Sequence, residues 1–135
     1  MSFTAQELEY LASQRLGRLA TVQPNGTLQV SPVGFHYNAG TSTIDIQGYN
    51  MAASRKFRNV ADNGKVAFVV DDVPSVDPWR VHCVEIRGRA EALDAAQAND
   101  LGGPTIRIHP ERVISFGLGA TDQDVHQLVS NARDV

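Results

Sequence analysis

Hydrophobic and polar residues alternate along much of the chain, and this period of two predicts strands. Turn signals rich in glycine, proline and asparagine separate the alternating runs. The run at residues 65–71 is apolar on both faces, which indicates a central strand. Six strands are predicted in all, at residues 16–22, 27–37, 43–48, 65–71, 79–92 and 105–116.

Helical signals flank and interrupt these strands. Thr4 and Glu7 form a capping-box pattern, which predicts a helix that extends to about residue 14. A second helix is predicted at residues 51–61, before an Asn-Gly stop. Residues 94–104 are expected to be helical or irregular, and a polar helix at 122–133 is expected to close the chain.

The order of these elements predicts a mainly β (α+β) fold. Short, turn-like connections favour antiparallel pairing, so we expect an antiparallel split β-barrel with peripheral helices. Residues 72–78, which contain two prolines, are expected to form a loop. Pro32 indicates an edge or a bulge within its strand, and Pro110 a kink. No repeat or linker divides the chain, so residues 1–135 are expected to form a single domain.

Composition narrows the class of protein further. The chain has 135 residues, of which 42% are hydrophobic and 20% charged, as in globular proteins. A net charge of −3 argues against a nucleic-acid-binding protein. No signal peptide is expected, because no basic segment followed by an apolar run opens the sequence, and no membrane-spanning helix is expected from the lengths of the apolar runs. Cys83 stands alone, so no intrachain disulfide can form; it is interpreted as a small buried residue of a cytoplasmic protein.

The start of the second predicted helix concentrates positive charge. Arg55 and Lys56 lie there, and Arg58 follows within one turn. Helix N-termini have unpaired N–H groups and a partial positive charge, which favours bound phosphate. A solvated helical face is the alternative interpretation. The pattern predicts a seat for a nucleotide-like cofactor.

Several blocks of the sequence together resemble the pyridoxamine 5′-phosphate oxidase-like superfamily. The first group consists of residues 16–22, the Asn-Gly pair at 25–26, the block at 29–35 and Ser54-Arg55-Lys56. A second group resembles the branch that uses the deazaflavin coenzyme F420, namely residues 56–60, 69–72, 77–80, 85–90 and 106–113. Each block alone is weakly specific, but their order and spacing strengthen the resemblance.

The resemblance implies a function and an assembly. It implies a split-barrel homodimer with two cofactor sites at the subunit interface. It also implies hydride transfer from reduced F420 to a small organic substrate. FMN as the cofactor, and a cofactor-binding protein without turnover, remain open alternatives.

The resemblance also implies site residues. Ser54, Arg55 and Lys56 match the phosphate motif, and Asn59 matches a further position of it. Four residues match the family's ring-binding strand, namely Gln29, Val30, Ser31 and Pro32. Gln47 and Gly48 match the end of the next strand, and Trp79 matches a contact across the dimer interface. The alternative interpretations are an ordinary edge-strand proline for Pro32, a strand terminator for Gly48 and a large core or interface residue for Trp79.

No catalytic side chain is assigned from the sequence. No nucleophile–base motif is present, which is consistent with chemistry carried by a cofactor. The spacing of the histidines fits no metal site, so no metal is expected. A proton donor could be among them, although each is interpreted first as a surface or hydrogen-bonded residue. The four are His36, His82, His109 and His126.

Overall fold

The computed structural model describes residues 2–119 and 129–135. Its helices are α1, Ala5–Ser13, and α2, Arg55–Asn63, and short 3-10 turns lie at Met51–Ala53 and Asn99–Leu101. The strands are β1 (Leu16–Val22), β2 (Leu28–Gly34), β3 (His36–Asn38), β4 (Thr43–Ile46), β5 (Lys65–Val76), β6 (Trp79–Leu93), β7 (Thr105–Phe116) and β8 (Asn131–Asp134).

These strands form one antiparallel sheet in the order β2-β1-β5-β6-β7-β4-β3, with β8 paired to β7. Phe35 alone separates the edge strands β2 and β3 in sequence, so the sheet curls back on itself as a half-barrel. The prediction of a mainly β, antiparallel split barrel with peripheral helices is confirmed. The strand predicted at 27–37 is broken, but at Phe35 rather than at Pro32.

The core lies on the inner face of the curled sheet. Phe68 and Leu19 are 1% exposed, and Val70, Val84 and Ile86 are fully buried. Burying a side chain of this size contributes about 1.5–3 kcal/mol. Gly17 makes room for Phe68, because a Cβ at that position would lie 2.3 Å from the phenylalanine Cζ. The central position predicted for the fourth strand is confirmed, since β5 pairs with both β1 and β6.

The α1 helix is fixed at both its start and its buried face. The predicted capping box is confirmed: Thr4 N donates to Glu7 Oε1 at 2.9 Å, and Glu7 N donates to Thr4 Oγ1 at 3.1 Å. The Glu7 carboxylate is fully buried and also accepts from Ser115 Oγ at 2.6 Å and from Arg133 Nη2 at 2.5 Å. One carboxylate therefore joins α1 to β7 and β8.

The prediction of a loop at residues 72–78 is wrong. Residues up to Val76 continue β5 and pair with β6, and the hairpin turn is confined to Asp77 and Pro78. The register shifts between Asp72 and Ser75, so Pro74 lies in an irregularity where it need not donate to the ladder. Proline-based prediction failed here because a bulge accommodates the residue.

The prediction of a polar helix at residues 122–133 is wrong for the part of this range that the structure describes. Residues 122–128 lie outside the described residues, but Asn131–Asp134 forms β8. Pairing with β7 and the Arg133–Glu7 ion pair favour the extended conformation. Both partners are distant in sequence, so no local pattern could reveal them. The irregularity predicted near Pro110 is confirmed by a register shift, which leaves Glu111 opposite no residue of β6.

Candidate cofactor site

The second helix begins later than predicted. Asn50 has a left-handed backbone (φ 55°), and the residues after it form the separate turn Met51–Ala53. Ser54 is the N-cap of α2: its Oγ accepts from Phe57 N at 3.3 Å and donates to Met51 O at 2.6 Å. The hydroxyl proton of Ser54 is therefore already used within the chain.

Arg55 and Lys56 are the first two residues of α2, so their N–H groups have no partner within the helix. Arg55 is exposed and Lys56 half-buried. Within residues 2–119 and 129–135, neither side chain forms a salt bridge. Arg58, by contrast, donates from Nη2 to Ala53 O at 3.2 Å. The helix start thus presents two cations whose charge no described carboxylate neutralises.

Asn59 connects this helix to the edge of the sheet. It is 1% exposed, and its Nδ2 donates to Thr21 Oγ1 and to Gln29 Oε1, both at 3.1 Å. Lys56 lies one turn earlier on the same side of the helix. The predicted phosphate residues and the predicted ring strand are therefore brought together through Asn59 and Gln29.

Replacing Asn59 with alanine is expected to lower the free energy of unfolding by about 1–3 kcal/mol, because Thr21 loses its buried partner. Urea denaturation followed by circular dichroism measures the change. Asp62→Ala, on the exposed side of the same helix, is the matched control and should unfold as the wild type does. Equal midpoints for Asn59→Ala and the wild type would show that this contact does not hold α2 in place.

The predicted ring residues at 29–32 divide between the two faces of β2. Gln29 and Ser31 alternate with the exposed Val30 and Pro32. Ser31 Oγ is buried and has no hydrogen-bond partner among the described residues. Pro32 lies on the edge strand β2, as its lack of an N–H predicts, and it pairs with Arg18 of β1. A ligand beside the inner face could satisfy the Ser31 hydroxyl, whereas Val30 and Pro32 face away from it.

The predicted site residues Gln47 and Gly48 lie in the loop between β4 and α2. Gln47 Nε2 donates to Thr105 Oγ1 at 3.1 Å and to the Leu101 carbonyl, so its amide positions the strand end. Gly48 is exposed and adjoins Tyr49, whose side chain is 102% exposed.

Trp79 does not join the other predicted residues within one chain. It is 51% exposed and pairs with Val76 at the tip of the β5–β6 hairpin. Lys65, which follows the C-terminal end of α2, lies eleven residues before Val76 along β5. The contact across a dimer interface that the resemblance implies for Trp79 therefore stays a prediction.

An apolar groove on the outer face of the sheet also escaped sequence analysis. Its volume is about 380 Å³, and Ala20, Val30, Ala67 and Val69 line it. Leu28 and Val30 on the adjoining edge strand are 76% and 67% exposed. The outward positions of three alternating strands were the signal for this surface.

The remaining candidate side chains are divided among separate places. Among residues 2–119 and 129–135, no group of three acidic, histidine or cysteine residues is arranged to hold a metal ion. His36 is exposed, His109 pairs with Glu91, and His126 lies outside the described residues.

Burial, with the nearby carboxylates of Asp71 and Glu85, raises the pKa of the Cys83 thiol to about 11. Cys83 is half-buried rather than buried as predicted, because it alternates along β6 with the buried Val84.

Comparison with a curated protein gives a close relative. A 5a,11a-dehydrotetracycline/5a,11a-dehydrooxytetracycline reductase of Streptomyces rimosus is 45% identical over 139 residues, covering 100% of this chain and 94% of that protein. The similarity therefore extends through both the sheet and α2.

Solved structures share the fold at lower identity. A FAD-binding protein of Mycobacterium smegmatis is 19% identical with a TM-score of 0.60, covering 98% of each chain. A FAD-binding protein of Mesorhizobium loti is 20% identical with a TM-score of 0.61, covering 82% of this chain and 92% of that one. At such identities the comparison shows the fold alone.

None of the described helices combines the length and hydropathy that a membrane span requires.

The family comparison covers nearly the whole chain. The model of the pyridoxamine 5′-phosphate oxidase family matches residues 3–129. The chain therefore belongs to the pyridoxamine 5′-phosphate oxidase family.

Proposed function

We propose that this protein is an F420-dependent reductase that transfers a hydride to a carbon–carbon double bond conjugated with a carbonyl group. The oxidoreductase class is supported by the family match and by the reductase relative at 45% identity. That relative's substrate is a dehydrotetracycline, so a polycyclic unsaturated ketone is the substrate class proposed here. Dependence on F420 is supported by the resemblance of residues 56–60, 77–80 and 106–113 to that branch.

The observation that carries this proposal is the pair of cations at the start of α2, which form no salt bridge with any described residue. Arg55 and Lys56 would hold the cofactor phosphate together with the N–H groups of the first helical turn. The Ser31 hydroxyl, which has no hydrogen-bond partner among the described residues, supplies a further polar group on the inner face of β2. Asn59 and Gln29 link this strand to α2. These residues fit an anionic, planar cofactor.

The chain's own contribution to rate is mainly positioning. When bound, reduced F420 supplies the hydride. The α2 start fixes the anionic end, and the inner face of β2 orients the ring beside the apolar core. A fixed arrangement of two reactants, from which water is excluded, lowers the barrier.

We propose further that two copies of the chain form the complete site. The outer groove and the exposed Leu28 and Val30 provide an apolar surface suited to a second copy. Trp79, which is half-exposed at the hairpin tip, would then contact the partner's cofactor. A monomer in sedimentation equilibrium with cofactor present would contradict this assembly.

FMN is the second candidate cofactor, since a phosphate seat suits either molecule and two structural neighbours are described as FAD-binding proteins. Incubation with each cofactor, desalting and an absorbance spectrum distinguish them. We expect the F420 spectrum to be retained. Retention of FMN alone would overturn the choice of cofactor.

Turnover is tested separately with reduced F420 and 5a,11a-dehydrotetracycline, followed by the return of the oxidised deazaflavin absorbance. We expect oxidation that depends on both the protein and the unsaturated ketone. If F420 binds but no panel of enones, quinones and nitro compounds oxidises it, the protein is a cofactor-binding protein without turnover.

A further inference from the structure

Three titratable side chains form a cluster at the hairpin end of the barrel, away from α2. Tyr10 OH donates to Asp72 Oδ1 at 2.7 Å, and His82 Nδ1 lies 3.0 Å from the same oxygen. The rings of Tyr10 and His82 meet edge-on, with centroids 5.3 Å apart. Asp72 and His82 lie opposite each other on β5 and β6, and Tyr10 reaches them from α1.

The hydrogen bonds of this cluster fix the orientation of the imidazole. Burial and the Asp72 carboxylate raise the pKa of Tyr10 well above its ordinary value, so its hydroxyl stays a donor. An ionised carboxylate only accepts, so the hydrogen between His82 and Asp72 must lie on Nδ1. Nε2 of His82 has no hydrogen-bond partner among residues 2–119 and 129–135. Of the three side chains, Tyr10 and His82 line the adjoining pocket, and the Tyr10 hydroxyl is already bonded to Asp72, so Nε2 of His82 is the polar atom that can meet a ligand there.

A pocket lies beside this cluster, between α1 and the start of β6. Its volume is about 300 Å³, at the lower end for small-molecule sites. Tyr10, His82 and Leu118 give it an aromatic and apolar wall, while Gln6, Glu9 and Ser13 add polar groups. Its size admits one or two rings of a larger fused system, with hydrogen-bonding groups at the edge.

We propose that this pocket, the α1–β6 pocket, binds an ionisable hydroxyl conjugated with a ring system, a phenol or an enol, and that Nε2 of His82 is the atom that contacts it. Neutral Nε2 accepts from such a hydroxyl, and protonated Nε2 donates to the corresponding anion. Either form of the pair is therefore hydrogen-bonded. The charged and titratable groups that face His82 are Asp72 from β5 and Tyr10 and Glu9 from α1.

This inference rests on the proposed function only in naming the organic substrate as the molecule that carries the hydroxyl. Polycyclic ketones of the tetracycline type have phenol and enol groups beside carbonyls. The pocket lies at the opposite end of β5 from α2, so it would hold a substrate that the partner's cofactor reduces. His82 lies three residues after Trp79 on β6, which brings the pocket to the end proposed to reach the partner.

Tetracycline serves as the probe, with EDTA present because tetracyclines chelate divalent ions. Fluorescence titration of the protein without added cofactor gives its dissociation constant. His82→Gln keeps an amide of similar reach but removes the imidazole ring, and should weaken binding about tenfold or more. His36→Gln is the matched control, since His36 is exposed on β3, and should bind as the wild type does.

A second readout does not depend on a folded variant. The His82 ring signals in a ¹³C-labelled wild-type protein should shift on addition of tetracycline, while those of His36 should stay in place. Saturation without a shift at His82, or equal dissociation constants for wild type and His82→Gln, would overturn the proposal. Neither result bears on F420 retention, so failure of this site and failure of the cofactor assignment are distinguishable.

Discussion

Replacing Arg55 and Lys56 together with alanine is expected to weaken F420 binding by roughly hundredfold. Charge-assisted hydrogen bonds contribute about 1.5–3 kcal/mol each, and the exposure of Arg55 places the pair at the lower end of the combined range. Fluorescence titration of the deazaflavin measures the dissociation constant. Stability should change little, because no described carboxylate pairs with either side chain.

A control with the same change in net charge separates local contact from general electrostatics. Arg15→Ala combined with Lys65→Ala removes two exposed cations that lie outside the start of α2. This pair should reduce affinity by less than threefold, since surface charges at a distance are screened by salt. If both double variants bind F420 as the wild type does, the phosphate does not lie at the start of α2.

Replacing Glu7 with alanine should lower the free energy of unfolding by about 3 kcal/mol. Removal of one partner of a buried ion pair leaves the other uncompensated. Here Arg133, whose side chain is 27% exposed, and the buried Ser115 both lose their acceptor. Urea denaturation measures the loss, and Glu9→Ala on the exposed face of α1 is the control. Equal unfolding midpoints for the two variants would contradict a stabilising role for the Glu7 cluster, which consists of Glu7, Ser115 and Arg133.

The same cluster predicts a component of acid unfolding. Burial alone would raise the pKa of Glu7, but hydrogen bonds from Arg133, Ser115 and Thr4 outweigh it and hold the pKa below its ordinary 4.5. The stability that Glu7 contributes is therefore present above that ordinary value, and is lost as the pH falls through the lower folded-state value. Glu7→Gln should flatten the acid limb of a stability–pH curve in that window.

Local patterns in the sequence predicted much of the fold because strands and caps leave local signals. The alternation of 16–22 and 65–71 identified β1 and β5, and the Thr4–Glu7 spacing identified the start of α1. The C-terminal strand was missed because its partners, Glu7 and β7, are distant in sequence. The length of the β5–β6 hairpin was missed because a bulge places Pro74 where no ladder hydrogen bond is required.

The site was predicted less evenly than the fold. Residue types at the start of α2 located the cations, since their chemistry is visible in the sequence. The alternation along β2, however, places Val30 and Pro32 on the face opposite Ser31, which a motif block does not convey. The Tyr10–Asp72–His82 cluster joins α1, β5 and β6, and only the folded chain brings these residues together.

A crystal structure of the protein with bound F420 tests the cofactor seat most directly. The phosphate is expected within hydrogen-bond distance of the Arg55 guanidinium, the Lys56 ammonium group or the first N–H groups of α2, with the ring against the inner face of β2. A phosphate bound elsewhere, with both side chains directed into solvent, would contradict the assignment of this helix start as the site that holds a redox cofactor.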